Sequence, residues 1–173
     1  MAKDVEQFFR EAKIPEGGSI AWSTPAVSGN KLIFGACDRY LYCLDRRTSK
    51  LLWKFLTGAP LTSPANIVKD KIFFSSNDKY LYCVSLKDGS LIWKRLFPEF
   101  PWGGPTLADG ILYVGCADNN LYALSPENGK TIWIFRTGGL ITCSPAVIND
   151  SICFGSFDKN FYCLNMEDRK SVV

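Results

Sequence analysis

The chain contains no histidine. That removes the commonest general base, the usual zinc and haem ligand, and the imidazole partner of serine and cysteine nucleophiles. There is no Cys-x-x-Cys and no adjacent cysteine pair, although there are 7 cysteines, an odd number that leaves at least one without a partner in the chain. No apolar run approaches the roughly 18 residues of a membrane-spanning helix. The opening Met1-Ala2-Lys3-Asp4-Val5-Glu6 places charge where a secretion signal needs an apolar segment, so the sequence as written reads as cytoplasmic. Excess charge is also scarce. Lys and Arg number 20 against 17 Asp and Glu, a net of +3 that argues for neither a nucleic-acid partner nor a membrane surface. At 47% hydrophobic the chain is neither disordered nor collagen-like, and 173 residues make one ordinary domain or two small ones.

What is present is repetition. Asp38, Asp78, Asp118 and Asp158 recur every 40 residues, and so do Tyr42, Tyr82, Tyr122 and Tyr162. Trp53, Trp93 and Trp133 keep the same period, and Pro25, Pro64, Pro105 and Pro145 keep it to within one residue. Each unit reads as four short strands. In the first, Ser23 to Val27 leads to a turn at Gly29-Asn30. Lys31 to Gly35 follows, then a turn at Asp38-Arg39, then Tyr40 to Leu44, then a looser turn and Leu51 to Phe55. The first turn recurs as Lys69-Asp70, Asp109-Gly110 and Asn149-Asp150, and Asp-Gly is a strong hairpin signal because both central residues take positive φ.

The strand faces set the architecture. Leu32-Ile33-Phe34, Ile72-Phe73-Phe74, Ile111 to Val114 and Ile152-Cys153-Phe154 are apolar on both sides. A sheet wetted on one side would alternate apolar and polar residues. Sheets of four strands, about 40 residues each and covered on both faces, are the blades of a β-propeller. The predicted fold is therefore all-β, with blades at about 19–57, 58–97, 98–137 and 138–173 behind an N-terminal helix and linker over 1–18. Trp53, Trp93 and Trp133 are expected to dock each blade on the next.

Ser144-Pro145-Ala146-Val147, Gly115-x-x-Asp118, Leu121-Tyr122-Ala123-Leu124 and Asn128-Gly129-Lys130-x-x-Trp133 resemble the pyrroloquinoline-quinone (PQQ)-type β-propeller repeat, over about residues 22–173. Its tryptophan-docking motif, roughly Ala-x-Asp-x-x-x-Gly-x-x-x-Trp, is approximated from Cys43 to Trp53, Cys83 to Trp93 and Ala123 to Trp133, with the glycine kept as Gly89 and Gly129. The resemblance implies fold more than activity, because the family mixes quinoprotein dehydrogenases with non-catalytic scaffolds and sensor domains. The non-catalytic members include the propeller lipoprotein of bacterial outer-membrane assembly. The dehydrogenases hold PQQ with a vicinal Cys-Cys disulfide, a calcium ion and a catalytic aspartate. This chain has no such cysteine pair and no carboxylate-rich calcium loop. No catalytic, cofactor or metal residue is therefore assigned, and PQQ is not expected.

The recurring features have structural readings. The four aspartates are expected to bond their own turns, and a wide cation-binding ring is the alternative. The tyrosines read as core. Cys43, Cys83 and Cys163 share a small apolar slot, and Cys37, Cys116, Cys143 and Cys153 lie in or beside strands, all expected as reduced thiols. Arg39, Lys79 and Lys159 read as solvated turn residues, and the Asn149-Asp150-Ser151 triplet lies in a tight hairpin.

Departures from the repeat point to function. Leu96 to Pro105 joins the second and third units through Phe97, Phe100, Trp102 and three of the chain's prolines. Trp102 and Trp22 each lie three residues before a repeat proline, where the other units have Leu61 and Thr142. Trp22, Phe97, Phe100 and Trp102 are a candidate partner or ligand surface at the mouth of the propeller, the alternative being packing against neighbouring loops or a plug in the channel.

Residues 4–13 read as a short helix with Phe8, Phe9 and Ala12 on one side. In phase with the earlier tryptophans, position 173 holds Val173. Four blades are few for a family that usually has seven or eight. Three arrangements follow: a four-bladed ring, part of a longer propeller, or a head-to-tail homodimer completing eight blades. The functional expectation is a non-enzymatic protein-interaction or assembly scaffold. The alternatives are a PQQ- or small-ligand-binding domain and a sensor segment of a larger regulatory protein.

Overall fold

The computed structural model describes residues 23–167. The expected N-terminal helix, Trp22 and position 173 lie outside the described residues. The first antiparallel sheet is β1 (Ala26–Ser28), β2 (Lys31–Gly35), β3 (Tyr40–Asp45) and β4 (Leu51–Leu56), in that spatial order. The second is β5 (Asn66–Val68), β6 (Lys71–Ser75), β7 (Tyr80–Ser85) and β8 (Leu91–Leu96), and the third is β9 (Thr106–Ala108), β10 (Ile111–Gly115), β11 (Asn120–Leu124) and β12 (Thr131–Arg136). The fourth contains β13 (Ala146–Ile148), β14 (Ser151–Gly155) and β15 (Phe161–Asn165) among the described residues. All neighbours are sequential, so each sheet is a meander, as expected of a propeller blade. No helix among the described residues is long and apolar enough to cross a membrane.

The turns follow from backbone chemistry. Gly29, Lys69, Asp109, Gly110 and Asn149 take positive φ in the first hairpins. Arg39, Lys79, Asn119 and Lys159 do so immediately after the repeated aspartates. Strands β3, β7 and β11 each carry a bulge one residue beyond the position facing the tryptophan, at Cys43/Leu44, Cys83/Val84 and Ala123/Leu124.

The core lies between the sheets. Ile33, Leu41 and Cys43 of the first sheet pack on Ile72, Phe74, Tyr82 and Val84 of the second. Phe73, Leu81 and Cys83 pack on Leu112, Val114, Tyr122 and Leu124 of the third. Tyr113, Leu121 and Ala123 pack on Ile152, Phe154 and Leu164 of the fourth. Apolar residues on both faces of a strand are thus used on both faces, which explains why the sequence does not alternate.

Candidate functional site

The repeated aspartates are tied into their own blades. In each turn one carboxylate oxygen accepts the backbone N–H two residues on, from Tyr40, Tyr80, Asn120 or Asn160, at 3.0–3.1 Å. The other oxygen accepts the hydroxyl of Tyr42, Tyr82, Tyr122 or Tyr162 at 2.5–2.8 Å. The tyrosines therefore have a polar role as well as a packing one, which the sequence reading missed. The signal was available, since Asp and Tyr stand four residues apart in every unit. Burial and then the aspartate bond push the phenols of Tyr42, Tyr82 and Tyr122 above their ordinary range. Asp78 and Asp158 also accept the N–H of Gly58 and Gly138 from the preceding connection, each at 2.8 Å. Pro98 holds the matching place before Asp118 and has no N–H to give. No group of three metal-ligating side chains occurs among the described residues.

Trp53 and Trp93 lie across the boundary to the following blade. Trp53 covers Gly89 and Trp93 covers Gly129, where an added Cβ would come within 2.6 and 2.9 Å of the indole. Both glycines take positive φ, +74° and +69°, so conformation and space exclude a side chain there. The indole N–H of Trp93 donates to Pro126 O at 3.0 Å. That of Trp53 is buried without an acceptor. Trp133 packs on Tyr113 with ring centres 5.7 Å apart, and the position matching Gly129 in the next unit lies outside the described residues.

The connection between the second and third blades divides into a buried part and a presented part. Phe97 is only 2% exposed and sits edge-on to Tyr122 at 4.9 Å, so it belongs to the core and not to the candidate surface. The physical reason is a displaced aromatic. Phe55 and Phe135 pack edge-on against Tyr82 and Tyr162 in the flanking interfaces. Between them, at the same position, stands Arg95, whose guanidinium lies 5.1 Å over Phe97 and donates to Gly129 O at 2.7 Å. Phe97, in the place of Thr57 and Thr137, supplies the missing ring. Comparing Phe55, Arg95 and Phe135 in the sequence would have revealed this.

Phe100 and Trp102 remain on the surface, stacked at 5.6 Å and 6° from parallel, with Trp102 43% exposed. Leu61 and Ile141 both donate their N–H to the turn before, to Ala36 O and Cys116 O, so they are equivalent to each other and to Pro101. Trp102 therefore matches Thr62 and Thr142, not Leu61. The aromatic pair lies across two Asp turns. Phe100 O accepts from Ala117 N at 3.0 Å, and the Lys79 ammonium sits 5.1 Å over the Phe100 ring while pairing with Glu99 at 3.0 Å and donating to Pro98 O at 3.0 Å. Gly103 and Gly104 then let the innermost strand pass close to its neighbours, since a Cβ would lie 2.1 Å from Cys143 O or 2.6 Å from Pro64.

The cysteines correct one expectation. Cys43, Cys83 and Cys116 are buried free thiols, pushed up by desolvation to about 11, about 12 and about 12. Cys153 and Cys163 form a disulfide and are not reduced thiols. They face each other directly across β14 and β15, Cα to Cα 4.1 Å. The same cross-strand position holds Ile33/Cys43, Phe73/Cys83 and Tyr113/Ala123, so the fourth blade alone places two cysteines opposite one another.

These features meet in one family. The model of outer membrane protein assembly factor BamB matches residues 15–172. The chain belongs to that family of PQQ-type propellers. BamB from Moraxella catarrhalis superposes with a TM-score of 0.81 at 19% identity, over 90% of this chain and 53% of that one. The chain thus spans about half the length of that relative. The computationally designed Ika4 protein matches with a TM-score of 0.75 at 15% identity, over 85% of this chain and 91% of its own. The designed Ika8 protein matches at 0.74 and 15%, over 84% and 45%. These identities speak for the fold. No curated protein sequence matches the chain.

Proposed function

We propose that this propeller is a non-catalytic interaction scaffold that holds a protein partner through the Phe100–Trp102 pair. The observation behind this reading is the stack itself: two parallel rings, one of them 43% exposed, on the only described inter-blade connection that carries aromatics. A rigid aromatic anchor loses little conformational freedom on binding, and Trp and Tyr dominate interface hot spots. Lys79 and Glu99 beside it provide both signs of charge for a polar rim. The loop is braced by Pro98, Pro101 and the Phe97 anchor below, so its shape is set before any partner arrives. The aspartates, being engaged by tyrosine and backbone, are not offered to a cation. The lack of adjacent cysteines in the sequence supports function without PQQ.

The test is affinity capture from a cell extract with the native chain and with Trp102→Ala and Phe100→Ala. A specific protein held by the native chain and released by both variants, at unchanged thermal stability, is the expected result. Equal capture by all three overturns the reading. Titration with PQQ and calcium should leave tryptophan fluorescence and dye reduction unchanged, and a saturable response would place the chain with the quinoproteins.

A further inference from the structure

The turn between β3 and β4 departs from its equivalents. It reads Asp45-Arg46-Arg47-Thr48-Ser49-Lys50, where the second and third sheets have Ser85-Leu86-Lys87-Asp88-Gly89-Ser90 and Ser125-Pro126-Glu127-Asn128-Gly129-Lys130. Arg46, Arg47 and Lys50 are exposed, and none has an ion-pair partner among the described residues. Asp45, the one carboxylate of the turn, is engaged within it. One of its oxygens accepts the N–H of Arg47 at 2.9 Å, the N–H of Thr48 at 2.8 Å and the Thr48 hydroxyl at 2.9 Å, and the other accepts from the Asn30 amide.

Ser49 is the second departure. It takes φ +58° in the place of Gly89 and Gly129, at +74° and +69°. Those glycines are buried beneath Trp53 and Trp93, whereas Ser49 is partly exposed. A Cβ added at either glycine would come within 2.6 or 2.9 Å of the indole, so the side chain of Ser49 excludes a tryptophan docked in that way. Its hydroxyl has no hydrogen-bond partner among the described residues, while the Thr48 hydroxyl is held by Asp45. Strand β4 is the outer edge of its sheet and starts with the exposed Leu51 and Leu52. The turn and the start of that strand can therefore open locally without disturbing the core.

We propose that Ser49 is a phosphorylation site for a protein kinase whose acidic substrate groove reads arginine. Arg46 and Arg47 stand three and two residues before the hydroxyl, unpaired and exposed, and a guanidinium offers a planar fork that carboxylates of such a groove engage in pairs of hydrogen bonds. In the transfer, Ser49 Oγ bonds to the γ-phosphorus of a nucleoside triphosphate. The bond from that phosphorus to its bridging oxygen breaks, and the nucleoside diphosphate leaves. The hydroxyl proton passes to the catalytic carboxylate of the kinase. The product holds a phosphate of about −2 charge beside three cations and one carboxylate, which brings the turn close to neutrality. The turn lies at the end of its sheet opposite the Asp turns, so this site is separate from the Phe100–Trp102 surface.

The test is incubation of the folded 173-residue chain with magnesium ATP and the catalytic subunit of cyclic-AMP-dependent protein kinase, with the product mapped by mass spectrometry. One phosphate, carried on Ser49, is the expected result. Ser49→Gly should abolish incorporation without lowering thermal stability, since glycine holds the same φ in the two equivalent turns. Arg46→Gln and Arg47→Gln should each slow incorporation about tenfold, the worth of one charge-assisted contact. No incorporation into the folded chain overturns the proposal. So does phosphate on Thr48 or elsewhere with Ser49 unmodified, a rate indifferent to both arginine substitutions, or incorporation only after denaturation in urea.

Discussion

The first and second inter-blade interfaces share one plan and differ in how they satisfy it. At the first, Trp53 rests on Gly89, but its indole N–H has no acceptor, and Lys31 donates to Leu86 O and Lys87 O. At the second, the matching Lys71 is drawn instead to the Glu127 carboxylate. Pro126 O, the counterpart of Leu86 O, accepts from Trp93. The docking tryptophan is bonded where Leu86-Lys87-Asp88 is replaced by Pro126-Glu127-Asn128. The second interface has in turn lost the Gly58-type bond to its aspartate, through Pro98, and gained Arg95 stacked on Phe97. It is the interface that gave up a backbone bond whose connection became aromatic and presents an exposed ring, Trp102.

The largest expected effect is on docking. Trp93→Ala should cost about 3–5 kcal/mol, the range for deleting a large core side chain, measured by urea unfolding. Trp53→Ala should cost less, since no indole bond is lost with it. An unchanged unfolding curve for Trp93→Ala would break the docking account.

A finer substitution sharpens the contrast. Trp93→Phe strands the Pro126 carbonyl and should cost about 1 kcal/mol more than Trp53→Phe, which removes an unsatisfied donor. Equal losses would mean that the Trp93 indole bond has no energetic consequence.

The smallest effect is in alkaline stability. Native Cys83 and Cys116 hold their protons to about 12 and Cys43 to about 11, against an ordinary 9.0. The native state keeps these protons while the unfolded chain releases them. Stability is therefore full below about pH 9 and declines as pH rises, with the tyrosines adding to the decline from about pH 10. Cys83 and Cys116 both belong to the second interface and Cys43 to the first. Cys116→Ala should flatten the fall of the urea midpoint above pH 9, and an unaltered slope would remove that thiol from the explanation.

Much of the fold was legible because a repeat states each structural rule several times. The period of 40, the paired turns and the two-sided apolar strands lead to blades without any coordinates. What escaped were relations between units and across strands. Phe97 looks exposed when read within its own aromatic run, and becomes a core residue only when Arg95 is set against Phe55 and Phe135. Cys153 and Cys163 look like two more members of a buried series until hairpin register places them opposite each other. The Asp–Tyr bond was hidden by reading tyrosine as an apolar residue with nothing to donate. The site was half visible: Trp102 and Phe100 were picked out as departures from the repeat, and sorting them from Phe97 needed the tertiary contacts.

The central claim is that one connection separates a structural anchor from a presented surface only a few residues along the chain. Urea unfolding of Phe97→Ala beside Trp102→Ala tests it without knowledge of any partner. The account predicts a loss of about 3–5 kcal/mol for Phe97→Ala and a change within about 0.5 kcal/mol for Trp102→Ala. A Trp102→Ala variant as destabilised as Phe97→Ala would contradict it, because the exposed ring would then be part of the fold and not a surface held out for binding.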